Sequence, residues 1–217
     1  MIVDLGPRRA ADDRDAPPCA EGDSEWSEGH HVLVVPVPRL EPYVVERTRH
    51  HDASFLSDDP GFVHAHITLL APWLDAPTTC DLDVVARIVA AAPAFGFVLE
   101  DVRAFPDGTL HLPPSPSGPF AALTAELAAA FPSCPPYAGR HRPVPHLTVD
   151  RISEGVTLAG TRRALGRLLP AVCRAERVAL QWYANHGCRT VAEWELGRGG
   201  DVGRDDRVRR GGDRPRG

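Results

Sequence analysis

The chain has 217 residues, 43% of them hydrophobic and 24% charged, with a formal net charge of −5. Every one of its 24 basic side chains is arginine, which excludes a lysine-bearing P-loop, a lysine Schiff base and a nucleotidylated lysine. The negative balance gives no general attraction for long nucleic acid, so a nucleic-acid substrate would be engaged locally.

No apolar run approaches the roughly 18 residues needed to span a bilayer, and the polar N-terminus lacks the apolar core of an export signal. The five cysteines are scattered and show no C-x-x-C spacing, which predicts reduced thiols in a cytoplasmic protein. Residues 1–29, rich in Asp, Glu, Arg, Pro and Gly, predict a disordered segment. Strand and helix periods then alternate. HVLVVPVP (His31 to Pro38) predicts a strand, and LEPYVVERTRHH (Leu40 to His51) a helix. VHAHITLL (Val63 to Leu70) predicts a second strand, and DLDVVARIVAAA (Asp81 to Ala92) a helix stopped by Pro93. FGFVLEDVRAF and TLHLPP predict two strands joined by a turn at Pro106-Asp107-Gly108.

FAALTAELAAAF (Phe120 to Phe131) predicts a helix ended by Pro132, and PHLTVDRIS (Pro145 to Ser153) a strand. TLAGTRRALGRLL (Thr157 to Leu169) predicts a helix, with CRAERVALQWY and RTVAEWEL as the closing strands. Residues 198–217 are Arg/Gly/Asp low-complexity sequence and predict a second disordered tail, leaving 30–197 as the folded unit. After the first strand the order is helix, strand, helix, strand, strand, and then the same five again. The offset is about 80 residues, as from His66 to His146, and it predicts two like lobes.

The repeat carries histidines. His66-Ile67-Thr68-Leu69 and His146-Leu147-Thr148-Val149 share the order His, apolar, Thr, apolar, each in a predicted strand at the same place in its half. Side chains at i and i+2 share a strand face, so each His projects beside its Thr while the apolar neighbours anchor the strand from behind. Two such tetrapeptides at matching positions are expected by chance well below about 0.01 on composition. Two imidazoles facing each other, one neutral and one protonated, could act together as general base and general acid.

On these motifs the chain resembles the two-histidine phosphoesterases, whose bacterial members are often labelled 2′-5′ RNA ligase family. The matching stretches are VHAHITLLAPW, the segment from Pro119 to Tyr137, and PVPHLTVD, and the likeness spans roughly His30 to Gly197. The resemblance implies an α+β, bilobal, pseudo-two-fold fold: two antiparallel sheets backed by helices around a central cleft. It implies cleavage of 2′,3′-cyclic phosphates, cyclic phosphates of ADP-ribose derivatives or 2′-5′ linkages, with no metal and no cofactor. His66 and His146 would be the catalytic pair, and Thr68 and Thr148 would contact phosphate. The substrate partner would be an RNA terminus or a small cyclic-phosphate nucleotide, handled by a monomer away from any membrane. Relatives commonly carry a small residue or proline at the place of His64 and an aromatic at that of Ala71, differences that would reshape the pocket.

Other residues are candidates beside the motifs. Arg140 and Arg142, in YAGRHRPVPH, lie four to six residues before the second motif and could reach a substrate phosphate, and Tyr137 could stack on a base. His64 falls on the same strand face as His66 and is a candidate substrate contact. As H-x-H the two could instead ligate zinc or copper, giving a metal-dependent hydrolase. A non-catalytic module that binds nucleotides or RNA ends with the same clamp is the other alternative. His111 alternates with Leu110 and Leu112 and receives no role.

Overall fold

The computed structural model describes residues 29–140 and 142–197. Of the expected tails, residues 1–29 and 198–217, all but Gly29 lies outside the described residues. Strand β1 (His30–Pro36) leads through a 3-10 turn at Pro38–Leu40 into helix α1 (Glu41–Asp52), and strand β2 (His66–Leu70) follows. Helix α2 (Thr79–Ala91) starts at a capping box. The Thr78 hydroxyl accepts the Asp81 amide at 3.3 Å, while the Asp81 carboxylate accepts the Thr78 amide at 2.8 Å.

Then come β3 (Phe95–Leu99), β4 (Arg103–Ala104), β5 (Thr109–Leu112) and β6 (Pro114–Ser115). Helix α3 (Gly118–Ala130) carries Pro119 at its start, where a missing N–H costs nothing, and stops before Pro132. The chain ends in β7 (Leu147–Arg151), α4 (Leu158–Leu165), β8 (Ala171–Ala175), β9 (Arg177–Tyr183) and β10 (Arg189–Glu195). Helix α4 is shorter than its apolar pattern predicts: the Leu168 and Leu169 amides both close back on the Leu165 carbonyl, and Pro170 cannot continue the turn.

The strands make two antiparallel sheets, as expected. Seven strands run in the order β10-β9-β1-β2-β7-β5-β4, and three in the order β6-β3-β8. The two halves do not keep a sheet each. Their equivalent strands β2 and β7 pair at the middle of the large sheet, and β3 and β8 pair with each other in the small one. Helices cross over as well, α3 packing on β2 and α1 on β7.

Segments expected to be single strands divide between the sheets, TLHLPP between β5 and β6 among them. In FGFVLEDVRAF the buried positions run Phe97, Leu99, Val102, so the period of two slips by one at Glu100–Asp101, where the chain leaves one sheet for the other. CRAERVALQWY divides likewise between β8 and β9.

One face of the large sheet is core. Leu33, Val35, Ile67, Leu69, Leu147, Val149, Leu110, Leu112 and Leu180 pack against Val85 and Val89 of α2, Phe120, Leu123 and Leu127 of α3, and Phe97 and Leu99 of the small sheet. Full burial of each branched side chain contributes about 1.5–3 kcal/mol. The opposite face carries a small apolar cluster, Val32, Val34 and Ala179, and then the polar residues described next.

Candidate active site

Ile67 lies opposite Leu147 in the antiparallel pair β2–β7, and both are fully buried. Extending that register by one residue each way sets His66 across from Thr148 and Thr68 across from His146. All four project from the face away from the core. Directly opposed side chains start about 4.5–5.5 Å apart at Cβ and diagonal ones about 7–8 Å. The two imidazoles occupy one diagonal and the two threonines the other, a span that a single phosphate group can fill. The juxtaposition rests on the buried Ile67–Leu147 pair, because a slip of one residue in either strand would turn that strand's His and Thr into the core.

Both rings are aimed by the same device. The Nδ1–H of His66 donates to the His64 carbonyl at 2.7 Å, and that of His146 to the Val144 carbonyl at 2.7 Å, each two residues upstream. A carbonyl only accepts, so the proton sits on Nδ1 and the Nε2 lone pair is left for the cleft. Tyr183 brings its Oη to 3.2 Å from His66 Nδ1, while donating to the Gln181 side-chain oxygen at 3.3 Å. Gln181 in turn donates to the Val63 carbonyl at 3.0 Å.

Burial pushes the His66 pKa down to about 4, against the opposing influence of the His64 carbonyl and the Glu41 charge; His146 and His64 push it further down. His146 is also lowered by burial, with the Val144 carbonyl and Asp107 working against it. Both shifts favour the neutral ring, which keeps an accepting nitrogen in each.

A cleft of about 430 Å³ opens beside this quartet, lined among others by Arg47 and His51 of α1, His66, Thr148, Arg151 and Tyr183. Its α1 wall is tied to β7 through Asp150, a carboxylate whose side chain is only 3% exposed. Asp150 accepts from Arg47 Nη2 at 3.1 Å, from His51 Nε2 at 2.7 Å and from the Arg151 amide at 2.9 Å, and Arg47 Nε lies 2.7 Å from its other oxygen as an ion pair.

On the other flank β5 sets His111 across from Thr148, on the same face. The ring is 4% exposed, stacks on Phe105 at 3.7 Å between centroids and meets His146 edge-on at 5.5 Å. Burial lowers its pKa too. The Leu-His-Leu alternation in β5 was the signal for this third histidine. Glu41, Tyr183 and Asp150 gave no comparable sign, because they come from elements far apart in the chain.

Of the remaining candidates, His64 lines the cleft. Strand β2 begins only at His66, and His64 precedes it with both ring nitrogens engaged. Its Nδ1–H donates to Glu41 at 2.6 Å and its Nε2 accepts the Ser57 amide at 3.2 Å. His64 thus lines the cleft with both nitrogens already bonded, and among the described residues no group of three His, Cys, Asp or Glu is placed to hold a metal ion. Tyr137, Arg140 and Arg142 lie on the segment between α3 and β7 and, like Thr68 and His146, are not part of the cleft's lining. Tyr137 is half-buried in a left-handed conformation (φ 52°), its amide donating to the Ala71 carbonyl at 2.8 Å. Burial raises its hydroxyl pKa.

A model of the 2′-5′ RNA ligase superfamily matches residues 36–187, which takes in both histidine motifs and the strands that pair them. The chain belongs to that superfamily. Its fold is that of the two-histidine phosphoesterases. Escherichia coli LigT in complex with 3′-AMP is similar at 17% identity and a TM-score of 0.50, over 77% of this chain and 98% of that one. TT0787 of Thermus thermophilus is similar at 16% identity and a TM-score of 0.49, over 77% of this chain and 97% of that one. No curated protein matches the chain significantly. No helix among the described residues is long and apolar enough to cross a membrane.

Proposed function

We propose that this superfamily member is a metal-independent phosphoesterase that opens a 2′,3′-cyclic phosphate or cleaves a 2′-5′ phosphodiester, on an RNA end or a small nucleotide. The observation that carries the reading is the register Ile67–Leu147, which brings two H-x-T motifs onto one sheet face with each Nε2 directed away from its anchoring carbonyl.

Phosphorus sits between the rings. His66, the more strongly depressed of the two, takes a proton from water on Nε2 as the water oxygen bonds to phosphorus. The phosphorus–ribose oxygen bond opposite breaks, and His146, charged in the complex, gives its Nε2 proton to the departing oxygen. The substrate anion itself raises the pKa of the ring beside the leaving group. Thr68 and Thr148, on the other diagonal, donate to the two non-bridging oxygens, where negative charge concentrates. Arg151, at the cleft wall, adds a positive charge to the same side.

The test is turnover of a 2′,3′-cyclic nucleotide by wild type, His66→Ala and His146→Ala, each with and without EDTA. Loss of roughly 10²–10⁴-fold in each variant is the expected scale for one general acid or base, with no effect of EDTA. Equal turnover in all three proteins would reject the assignment, and loss of wild-type activity in EDTA would reject a metal-independent reaction.

A further inference from the structure

The two motifs share the device that aims their rings but not what holds the device in place. The carbonyl that orients His146 belongs to Val144, which stands between Pro143 and Pro145 and is stiffened by their fixed φ. The carbonyl that orients His66 belongs to His64, in a segment with no proline that precedes its strand. Instead, one carboxylate grips that segment.

Glu41, the first residue of α1, accepts the His64 amide on Oε1 at 3.0 Å and the Ala65 amide on Oε2 at 2.8 Å. Its Oε1 also accepts the His64 ring Nδ1–H at 2.6 Å. These bonds fix the peptides on either side of the His64 Cα. The amide of Ala65 is part of the same planar unit as the His64 carbonyl, so holding the N–H holds the oxygen that accepts from His66. Charge-assisted hydrogen bonds of this kind are roughly twice as strong as neutral ones. Burial alone would raise the Glu41 pKa, but the His64 and Ala65 donors outweigh it and keep the carboxyl ionised well into the acid range.

We propose that Glu41 is a positioning residue for the first motif: by clamping the 64–65 peptide it sets the His64 carbonyl, and through it the tautomer and aim of the His66 imidazole. The inference rests on reading His66 as the proton acceptor, but its first test needs no substrate. The groups that face His66 are Glu41 from α1, His64 from the preceding segment, Tyr183 from β9 and His146 across the site. Of these, Glu41 brings the negative charge that favours the protonated ring. Replacing Glu41 by Gln keeps the size, removes that charge and points an NH₂ at donors.

Ring nitrogen NMR of His66 in the full chain is the primary readout. Wild type is expected to show a single Nδ1–H tautomer. Glu41→Gln is expected to show a mixture of tautomers and a lower ring pKa. His64→Ala leaves both main-chain bonds to Glu41 and is expected to keep the wild-type tautomer. Kinetically, Glu41→Gln should lose kcat by roughly 10–100-fold with little change in KM, its acid limb moving to lower pH; a merely destabilised protein would keep its acid limb.

If Glu41→Gln does not fold, Glu41→Asp carries the same readouts, with the charge kept and the reach shortened, and is expected to lie between wild type and Gln. An unchanged tautomer and an unchanged acid limb in the Glu41 variant would overturn the proposal, as would loss of the tautomer in His64→Ala. Should wild type turn over no cyclic phosphate, the functional reading fails while the tautomer measurement still decides the clamp.

Discussion

Substituting Asn for Asp150 tests how the α1 wall is fastened to the strand that carries the second motif. The wild-type carboxylate is 3% exposed; it accepts from Arg47 Nη2, the His51 ring and the Arg151 amide at 2.7–3.1 Å and is ion-paired with Arg47 Nε at 2.7 Å. Asparagine offers one acceptor in place of two and turns an NH₂ toward cationic or N–H donors. Breaking a buried ion pair on one side costs about 3–5 kcal/mol. Arg47 keeps 21% of its side chain in solvent, so the lower end, about 3 kcal/mol, applies. For a protein of this size that corresponds to a fall in Tm of roughly 6–12 °C. The assay is thermal and urea unfolding of wild type, Asp150→Asn, Arg47→Met and the double variant. The pair's coupling in that cycle should exceed about 1 kcal/mol. A Tm within about 2 °C of wild type, or additive single effects, would refute the reasoning.

Thr148→Val and Thr68→Val keep shape and strand propensity but remove the hydroxyls; stability should stay within about 0.5 kcal/mol. A hydrogen bond to a charged group is worth about 1.5–3 kcal/mol, so kcat/KM for a cyclic nucleotide should fall roughly 10–150-fold in each, and unchanged values would remove the threonines from the site. Stability should fall on acidification from about pH 6.5, the unfolded histidine value. His66 has a folded pKa of about 4, so between those values the unfolded chain binds the extra proton, as it does for His30, His31, His111 and His146, all lowered in the fold. His66 alone sets a ceiling of about 3 kcal/mol on this loss; a Tm flat from about pH 7 to 4.5 would contradict its burial.

Much of the arrangement was legible because it depends on periods. The alternation in HITL and HLTV places His and Thr on one face whatever the partner strand. The repeat of about 80 residues foretold that the two strands are equivalents, although not that they pair with each other at the sheet centre. What stayed hidden is what strand period cannot carry. The step of a strand from one sheet to the other at Glu100–Asp101 shows only as a slip in burial parity. His64 obeys the alternation on paper, yet the strand starts two residues later because Glu41 and Ser57 take its polar groups instead. Glu41, Asp150 and Tyr183 matter through contacts between distant elements, and no local pattern distinguishes them from surface residues.

The convergence of both imidazoles on one phosphorus is tested most directly by following the ring nitrogens of His66 and His146 by NMR while a nucleoside 2′-monophosphate is added to wild-type protein. The account expects both Nε2 signals to shift along one saturation curve, with Nδ1 of each still bonded to its carbonyl. A shift in only one ring, or two curves with different midpoints, would contradict it.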